Sequence, residues 1–337
     1  MFIHLYKERC KLSPQYQNVY DEMNIRMLSV LVPVYNEEEC IQLLYDRLVE
    51  VLSNLSCKSE ILFVNDGSSD KTLFLIKKLQ EKDKRIAIVD LSRNFGKEIA
   101  MAAGIDYIKG DALVIIDADL QDPPELILEM LKELEQGYDD VYAKRINRKG
   151  ESWLKKTTSK LYYRMLKKIS EVPIQEDTGD YRMFSQQAIN ALRELKENER
   201  NMKGLFSYIG FKKKPIYYER DVRVAGSTKW NYWKLINLAI KGFTSFSKTP
   251  LRIVSFVGFT VSIVAFIYLV TVVIRAMIWG DPVTGYPSLV SVILFLGGVQ
   301  LLALGIIGEY LGIIFSETKK RPVYYINEYI TSDEKAN

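Results

Sequence analysis

Residues 27–38 read MLSVLVPVYNEE, an apolar and β-branched run that ends in polar side chains. Its first part, residues 27–35, is typical of a buried strand. Apolar residues then follow at helical spacing over residues 37–51, and the alternation of strand and helix continues down the chain. Further strands are predicted over residues 61–64, 86–91 and 112–116, and further helices over residues 71–82, over residues 96–108 and after Pro123-Pro124. This βαβαβαβ order predicts an α/β fold with a doubly wound, mostly parallel sheet.

Polar clusters stand at the ends of three predicted strands. They are Asn36-Glu37, Asp66 and Asp117-Ala118-Asp119. Ligands of open α/β sheets bind beyond the carboxyl ends of the strands, so we expect these clusters to line one cleft. The sequence contains no GxGxxG after the first strand and no GxxxxGK[ST]. Hydride transfer and nucleoside-triphosphate hydrolysis therefore lose their main support.

Asp117 and Asp119 form a DxD pair directly after an apolar strand. Two carboxylates at positions i and i+2 of a straight strand share one face and repel each other unless a cation lies nearby. Oxygen ligands at an open site suit Mg²⁺ or Mn²⁺, which also bind diphosphates. An isolated DxD is as well explained by a solvated turn with helix-capping aspartates. Its place beside two other polar strand ends favours a metal site here.

Composition excludes several classes of protein. The chain has 337 residues, which suggests about two structural units, and its net charge of +4 is too small for a typical nucleic-acid-binding module. Cys10, Cys40 and Cys57 show no CxxC spacing and are expected to be free thiols in a reducing compartment. His4 is the only histidine and lies far from any motif, which argues against a histidine base or a His-rich zinc site.

Two long apolar segments mark the last quarter of the chain. Residues 253–274 carry no charge, and neither do residues 288–307. A membrane-spanning helix needs about 20 such residues, whereas a pair of buried core helices rarely stays apolar all round for this length. Residues 279–287 contain no Lys or Arg, while basic residues flank the other two span ends. The positive-inside rule then predicts a hairpin in the plasma membrane with the globular part and both termini cytoplasmic.

Residues 153–169 and 230–246 combine basic and aromatic residues at helical spacing. They are predicted to lie in the headgroup layer, with packing on the globular domain as the alternative. The expected organisation is an extension (1–26), a cytoplasmic catalytic domain (27–229), a juxtamembrane amphipathic helix (230–250), a region of two transmembrane helices (251–316, with spans at about 253–275 and 288–310) and a cytoplasmic tail (317–337). Gly297-Gly298 and Gly305 could pack closely against another subunit of a homo-oligomer.

Six motifs in combination resemble the family 2 glycosyltransferases. They are PVYNEE (33–38), NDGSSD (65–70), LSRNFGKE (91–98), DADLQDPPE (117–125), TGDYRMFS (178–185) and RVAGSTKW (223–230). With the two apolar spans, the chain resembles the bactoprenol (undecaprenyl-phosphate) glycosyltransferases, whose catalytic domain is similar to that of dolichyl-phosphate mannose synthases. The resemblance covers roughly residues 27–325 and implies a GT-A-type nucleotide-sugar-binding domain. Asn65 departs from the family, which often has Asp there.

The resemblance also implies roles for individual residues. Asp180 and Asp117 are the expected catalytic carboxylates, with Asp180 positioning the acceptor or taking a proton from it, and Arg145 is expected to bind the acceptor phosphate. Asp119 and Gln121 would bind Mg²⁺ or Mn²⁺ on the diphosphate. The expected donor contacts are Pro33, Tyr35, Glu37, Asp66, Asp117, Arg223 and Lys229. The alternatives are strand-end packing for Pro33 and Tyr35, a helix or turn cap for Asp180, and a solvated basic loop for Arg223 and Lys229.

The reaction implied is transfer of a sugar, with inversion, from a nucleotide-sugar to undecaprenyl phosphate. A phosphate monoester has a second pKa of about 6, so it needs no strong base at neutral pH. UDP is implied as the nucleotide by resemblance alone, and glucose, galactose and their N-acetylamino forms stay open as the sugar. A processive polysaccharide synthase would need more membrane helices and usually a QxxRW-type segment, and the sequence has two spans and no such segment. The alternatives that stay open are a dolichyl-phosphate mannose synthase-like enzyme and a non-catalytic membrane scaffold that carries a relic transferase domain.

Overall fold

The structure is a computed structural model. It describes residues 25–146, 178–197, 200–218 and 285–332, together with scattered positions between 256 and 278. Both predicted interfacial helices lie outside the described residues, as do Arg223 and Lys229. The same holds for the N-terminal extension before residue 25.

The described residues form one mixed sheet with helices on both faces. The strands are β1 Met27–Val34, β2 Lys58–Asn65, β3 Ile86–Leu91, β4 Ala112–Ile115, β5 Asp140–Arg145, β6 Thr178–Ser185, β7 Lys213–Tyr218 and β8 Ile326–Ile330. The helices are α1 Ile41–Leu52, α2 Thr72–Lys82, α3 Lys97–Tyr107, α4 Leu126–Glu135, α5 Gln186–Glu194, α6 Met202–Tyr208 and α7 Tyr286–Thr318. The strand order across the sheet is β7-β5-β6-β4-β1-β2-β3-β8.

The centre of the sheet is parallel, as predicted. β1 pairs in parallel with β2 and β4, and β2 pairs in parallel with β3. Crossover connections of this kind pass through helices that cover the sheet, and this explains why the β1 and β2 side chains are almost all buried. β6 enters antiparallel between β4 and β5, and this directs the start of β6 toward the carboxyl end of β4.

Two hydrophobic cores lie on opposite faces of this sheet. One contains Ile41 of α1 and Met130 of α4, and the other contains Met101 of α3 and Ile189 of α5. Helix α3 crosses β1 at very short range, because a Cβ atom added to Gly104 would lie 2.1 Å from Leu31 Cδ1. The absence of a side chain at Gly104 therefore permits α3 to lie close to the central strand. The N-terminus of α3 lies at the carboxyl ends of the strands.

Helix α7 contains the second predicted span and extends beyond it. Residues Phe295–Thr318 have a mean hydropathy of 1.8, and none of the residues in their most apolar stretch is buried. By length and composition this helix could cross a membrane. It is the one such helix among the residues that the structure describes. The first predicted span falls mostly outside those residues, although the described positions between 256 and 278 are helical.

The segment after α7 corrects one expectation, because the predicted cytoplasmic tail (residues 317–337) is not separate from the globular domain. Instead, β8 pairs antiparallel with β3 and forms one edge of the sheet. The alternation of apolar and polar residues in β8 (INEYI) covers only one short segment after a long apolar helix. Periodicity alone therefore does not predict this strand. Lys77 forms an ion pair with Glu328, and the Tyr324 hydroxyl donates a hydrogen bond to Asp106 Oδ2 at 2.9 Å.

A buried glutamate secures the residues that follow β8. Glu60 on β2 is 1% exposed and accepts hydrogen bonds from the Ser29 hydroxyl, the Lys109 backbone N–H and the Ser332 hydroxyl. Lys109 Nζ donates to the Ser332 carbonyl at 2.8 Å. A buried carboxylate needs such donors to offset its lost hydration. The chain that leaves α7 is thereby fastened to the core of the sheet.

Candidate active site

The loops after β1 and β2 are joined by hydrogen bonds at the carboxyl end of the sheet. Asn36 has a φ of 54°, and its side-chain oxygen accepts a hydrogen bond from Ser69 N at 2.8 Å. Asn36 N donates to Ser68 Oγ at 3.0 Å, and Glu37 N donates to Thr72 Oγ1 at 2.9 Å. Asn adopts a positive φ more readily than most residues. The PVYNEE and NDGSSD motifs are therefore joined to each other at this edge of the sheet.

Asp66 organises a third loop. Its Oδ1 accepts a hydrogen bond from Phe95 N at 2.7 Å, and its Oδ2 accepts one from Gly96 N at 2.9 Å. The residue is 3% exposed, and burial raises the pKa of its carboxyl despite these two hydrogen bonds. The sequence analysis expected Asp66 to contact the donor. In this structure both carboxylate oxygens hold the backbone that leads into α3.

Gly67 allows the loop that contains Arg93 and Asn94 to lie close to the backbone after β2. Its φ is 65°, and an added Cβ would lie 2.5 Å from the Arg93 carbonyl carbon and 2.6 Å from Asn94 N. A backbone atom cannot move aside as a flexible side chain can. The glycine therefore permits both the left-handed conformation and the close contact between two backbone segments.

Lys97, the first residue of α3, joins two of the predicted catalytic residues. Its Nζ lies 2.6 Å from Asp117 Oδ1 and 2.8 Å from Asp117 Oδ2, and only the Oδ2 contact has hydrogen-bond geometry. The same Nζ lies 2.6 Å from Asp180 Oδ2. Asp180 Oδ1 is buried without a hydrogen-bond partner among the described residues. The structure thus brings Asp117 and Asp180 together, with a lysine between them that the sequence analysis did not identify.

These charges shift the pKa values of Lys97 and Asp180. Burial alone would raise the pKa of Asp180, but the charge of Lys97, helped by Lys203 and Arg182, lowers it to about 2. For Lys97, desolvation acts to lower the pKa, and the two carboxylates outweigh it, so its pKa is raised. Asp180 is consequently a carboxylate at any physiological pH in this state of the site. It is then a weak proton acceptor.

The DxD loop has an unusual backbone. Leu120 is 1% exposed and has a φ of 58°, a conformation in which a bulky residue is strained. Asp119 is 8% exposed and accepts a hydrogen bond from Gln121 N at 3.2 Å, so the two predicted metal ligands adjoin. Strain of this kind persists only where the surroundings enforce it, and it concentrates at functional sites.

The described residues hold no group of three or more His, Cys, Asp or Glu side chains able to bind a metal ion. The pair Asp119 and Gln121 fits a cation that receives its remaining ligands from elsewhere, because Mg²⁺ typically takes one or two carboxylates together with water and phosphate oxygens. The unpartnered Asp180 Oδ1 is a further acceptor in the same cleft. The residues present therefore suit a metal that binds together with a diphosphate.

Arg145, at the end of β5, lies close to Gly179, the residue that precedes Asp180. Its Nε donates a hydrogen bond to the Tyr218 hydroxyl at 3.3 Å, and that hydroxyl donates to Asp122 of the DxD loop. A Cβ added to Gly179 would lie 3.4 Å from Arg145 Nη2, so the guanidinium lies against the backbone next to Asp180. Tyr218 and Asp122 are thus positioning residues for Arg145. The sequence analysis missed them because they come from separate strands and loops.

Two predicted donor contacts differ in exposure. Tyr35 is 42% exposed beyond the end of β1, whereas Pro33 is a buried strand residue opposite Val64 of β2. Tyr35 is therefore accessible to a ligand in the cleft. The position of Pro33 matches the alternative of strand packing.

The parallel sheet, the acidic cleft at its carboxyl end and the DxD loop define a glycosyltransferase of the GT-A type. Residues 29–193 match Glycosyl transferase family 2, and residues 249–314 match the GtrB C-terminal hairpin. An uncharacterized glycosyltransferase of Synechocystis is 46% identical over 301 residues, which cover 89% of this chain and 95% of the relative. The prophage bactoprenol glucosyl transferase homolog of Escherichia coli is 44% identical over 89% of this chain and 98% of its own. The chain belongs to glycosyltransferase family 2.

Among solved structures, the fold is similar to glucosyl-3-phosphoglycerate synthase from Mycobacterium tuberculosis in complex with Mn²⁺, UDP-glucose and phosphoglyceric acid. The TM-score is 0.44 at 16% identity, and the match covers 65% of this chain and 78% of that one.

Gly67→Ala tests the contact that holds the α3 loop. The added methyl group meets the backbone at Arg93 and Asn94, so we expect the loop to shift, Lys97 to leave its position and sugar transfer to fall at least tenfold. Gly137→Ala is the matched control, because Gly137 also has a positive φ (88°) but has nothing within 4 Å of an added Cβ. Both variants are compared by thermal unfolding and by initial rate. Equal losses of activity in the two would show that backbone strain, and not the contact, is responsible.

Proposed function

We propose that the protein transfers a hexose or N-acetylhexosamine from a UDP-sugar to undecaprenyl phosphate at the cytoplasmic face of the plasma membrane. The observation that carries the proposal is the cleft in which Lys97, Asp117 and Asp180 meet, on a chain that also contains the family's C-terminal hairpin. The relatives named bactoprenol glucosyl transferase align over 89% of this chain, hairpin included, and this supports a polyprenyl phosphate acceptor.

The transfer is a single displacement with inversion at the anomeric carbon. An oxygen of the acceptor phosphate forms a bond to that carbon while the bond from the carbon to the diphosphate oxygen breaks, and UDP leaves. The acceptor is largely a dianion at neutral pH, since its second pKa is about 6. The protein must therefore mainly position two anions and balance their charge.

Asp119 and Gln121 would hold Mg²⁺ or Mn²⁺ against the diphosphate. Such an ion stabilises the charge that develops on the leaving group. Arg145 binds the acceptor phosphate, and Tyr218 holds its guanidinium in place. A guanidinium suits this task because its planar set of donors matches phosphate oxygens.

Asp180 acts as a positioning carboxylate in this proposal. Its pKa of about 2 in the donor-free site disfavours the alternative role as a proton acceptor. Its Oδ2 lies 2.6 Å from Lys97 Nζ, and the neighbouring Gly179 lies close to the Arg145 guanidinium, which supports a role near both substrates. A fixed negative charge at this position can orient Lys97 and the residues around it. The acceptor's phosphate is thereby kept aligned with the anomeric carbon.

The arrangement of the sheet supports the membrane topology of the proposal. β7 precedes the apolar segments and β8 follows them, yet both strands belong to one sheet and so lie on one side of a membrane. An even number of crossings must separate them. If α7 crosses once, a second crossing is required between β7 and α7, and residues 253–274 provide the uncharged sequence for it.

The first test is transfer itself. Membranes or purified protein are incubated with undecaprenyl phosphate and a panel of labelled UDP-sugars, with and without EDTA. We expect label in the organic phase with one sugar, release of UDP and loss of the signal in EDTA, because the leaving diphosphate needs a cation. Release of UMP would indicate transfer of a sugar phosphate instead. Absence of label with every sugar would favour a non-catalytic scaffold.

Asp180→Asn tests the positioning carboxylate. The substitution keeps the size of the side chain and removes its charge, so we expect turnover to fall at least about 100-fold while UDP-sugar binding stays close to that of the native enzyme. Turnover is measured with the sugar that the panel identifies, and binding by calorimetry. Asp139→Asn, on the same domain but outside the cleft, serves as the control. Near-normal turnover of Asp180→Asn would remove this residue from the mechanism.

The hairpin is tested by labelling in intact cells. A cysteine at Asp281 is expected to react with a membrane-impermeant maleimide, since residues 279–287 should face outward. A cysteine at Tyr325, which is 59% exposed at the edge of the sheet, should react only after the cells are permeabilised. The native cysteines precede the first span and should likewise stay unlabelled in intact cells. Labelling of Tyr325→Cys from outside would contradict the topology.

A further inference from the structure

Asp117 and Asp180 face each other across two neighbouring strands. β4 and β6 are antiparallel with Ile115 opposite Arg182, and the same register, continued beyond β4, sets position 117 opposite position 180. Like charges directly opposite each other in a sheet are destabilising. The side chains of both residues are largely buried, with exposures of 24% and 11%, so water screens their repulsion poorly. A cation between them offsets this repulsion when the cleft contains no ligand.

Lys97 supplies that cation, and the residues around it fix its position. Asp66 holds the two residues before it, and Gly104 holds its helix against β1. The other cations near Asp180 are less well placed. Arg182 is engaged by the buried carboxylate of Asp140 at 3.1 Å, and Lys203 acts on Asp180 through its charge alone.

The position of Lys97 also bears on metal binding. Its ammonium lies against both oxygens of Asp117, two residues from the proposed metal ligand Asp119. A divalent cation that approached this part of the cleft would meet a positive charge at short range. A diphosphate would be attracted by the same ammonium, and it would bring oxygen ligands for the metal. The lysine side chain is 41% exposed, which leaves it room to turn toward an incoming anion.

We propose that Lys97 is a positioning residue that serves as the internal counter-cation of the Asp117–Asp180 pair, so that a divalent metal binds the cleft only together with the donor diphosphate, to which the ammonium then turns. The inference rests on the proposed function. It adds an order of binding, in which Lys97 disfavours the metal before the donor arrives and favours the metal–diphosphate pair afterwards.

The test is a Mn²⁺ titration of the full-length protein, followed by the electron paramagnetic resonance of free Mn²⁺, without and with UDP. Native protein should bind Mn²⁺ weakly without UDP and more tightly with it. Lys97→Met should bind Mn²⁺ about tenfold more tightly than native protein when UDP is absent, because two close carboxylates are then left without a counter-charge. Its gain in Mn²⁺ affinity on adding UDP should shrink. Lys97→Arg keeps the charge and should resemble the native protein.

Lys203→Met is the matched control, since it removes one positive charge near Asp180 without removing the bridge. Its donor-free Mn²⁺ affinity should stay within about twofold of native. UDP binding and thermal unfolding show whether each variant is folded. If Lys97→Met does not fold, the Mn²⁺ titration is repeated with Lys97→Gln. An unchanged Mn²⁺ affinity in the folded Lys97 variant, or an equal rise in Lys203→Met, overturns the inference.

Kinetics supply a second readout. Lys97→Met should lower kcat at least tenfold and change the KM of the donor much less, because Lys97 orients the carboxylates rather than providing the main binding energy. A change confined to the KM would overturn the positioning role. If native protein transfers no sugar to the lipid, the proposed function fails, and the Mn²⁺ titration still decides the role of Lys97.

Discussion

Two carboxylates that face each other across β4 and β6 repel each other in a poorly hydrated cleft, and the ammonium of Lys97 between them offsets that repulsion. Much of the surrounding architecture serves that cation. Asp66 and Gly67 shape the loop that delivers Lys97, and Gly104 lets α3 lie directly on the central strand. A change at any of these positions would act on the cleft through the placement of one ammonium group. For this reason Asp66 has a mechanical importance that its acidic character alone does not suggest.

Much of the sheet was predictable because its central strands are buried on both faces and therefore appear as continuous apolar runs. β3 agrees with its predicted bounds, and β1 and β4 end one residue earlier than predicted. Helix α1 begins at Ile41 rather than at residue 37, because Asn36 takes a positive φ and the next residues form a turn. β2 extends beyond its apolar centre to Lys58 and Asn65, since pairing with β1 continues where hydrophobicity has ended.

Site residues that lie close together in the sequence could be predicted, whereas those that meet only through the packing of distant strands and loops could not. Asp117 and Asp119 lie two residues apart beside two other polar strand ends, so their placement suggested a metal site, and the family resemblance added Gln121. Lys97 stands in the quoted LSRNFGKE motif, but its partners come from β6 and from the loop after β4. Only the strand register shows that it bridges them. Tyr218 was missed for the same reason, since it reaches Arg145 and Asp122 through the pairing of β7 with β5.

The return of the chain to the sheet after α7 has a consequence for a reaction between a soluble donor and a lipid. Only residues 319–325 separate the end of α7 from β8, and β8 is fastened by main-chain pairing, by Tyr324 and by the buried Glu60 network. So short a connection limits how far the sheet can move relative to that helix. If α7 spans the bilayer as proposed, a cleft on this sheet stays within a narrow range of heights above it. The acceptor's phosphate, confined to the headgroup layer, would then need to search little space before it met the proposed Arg145 site and the donor.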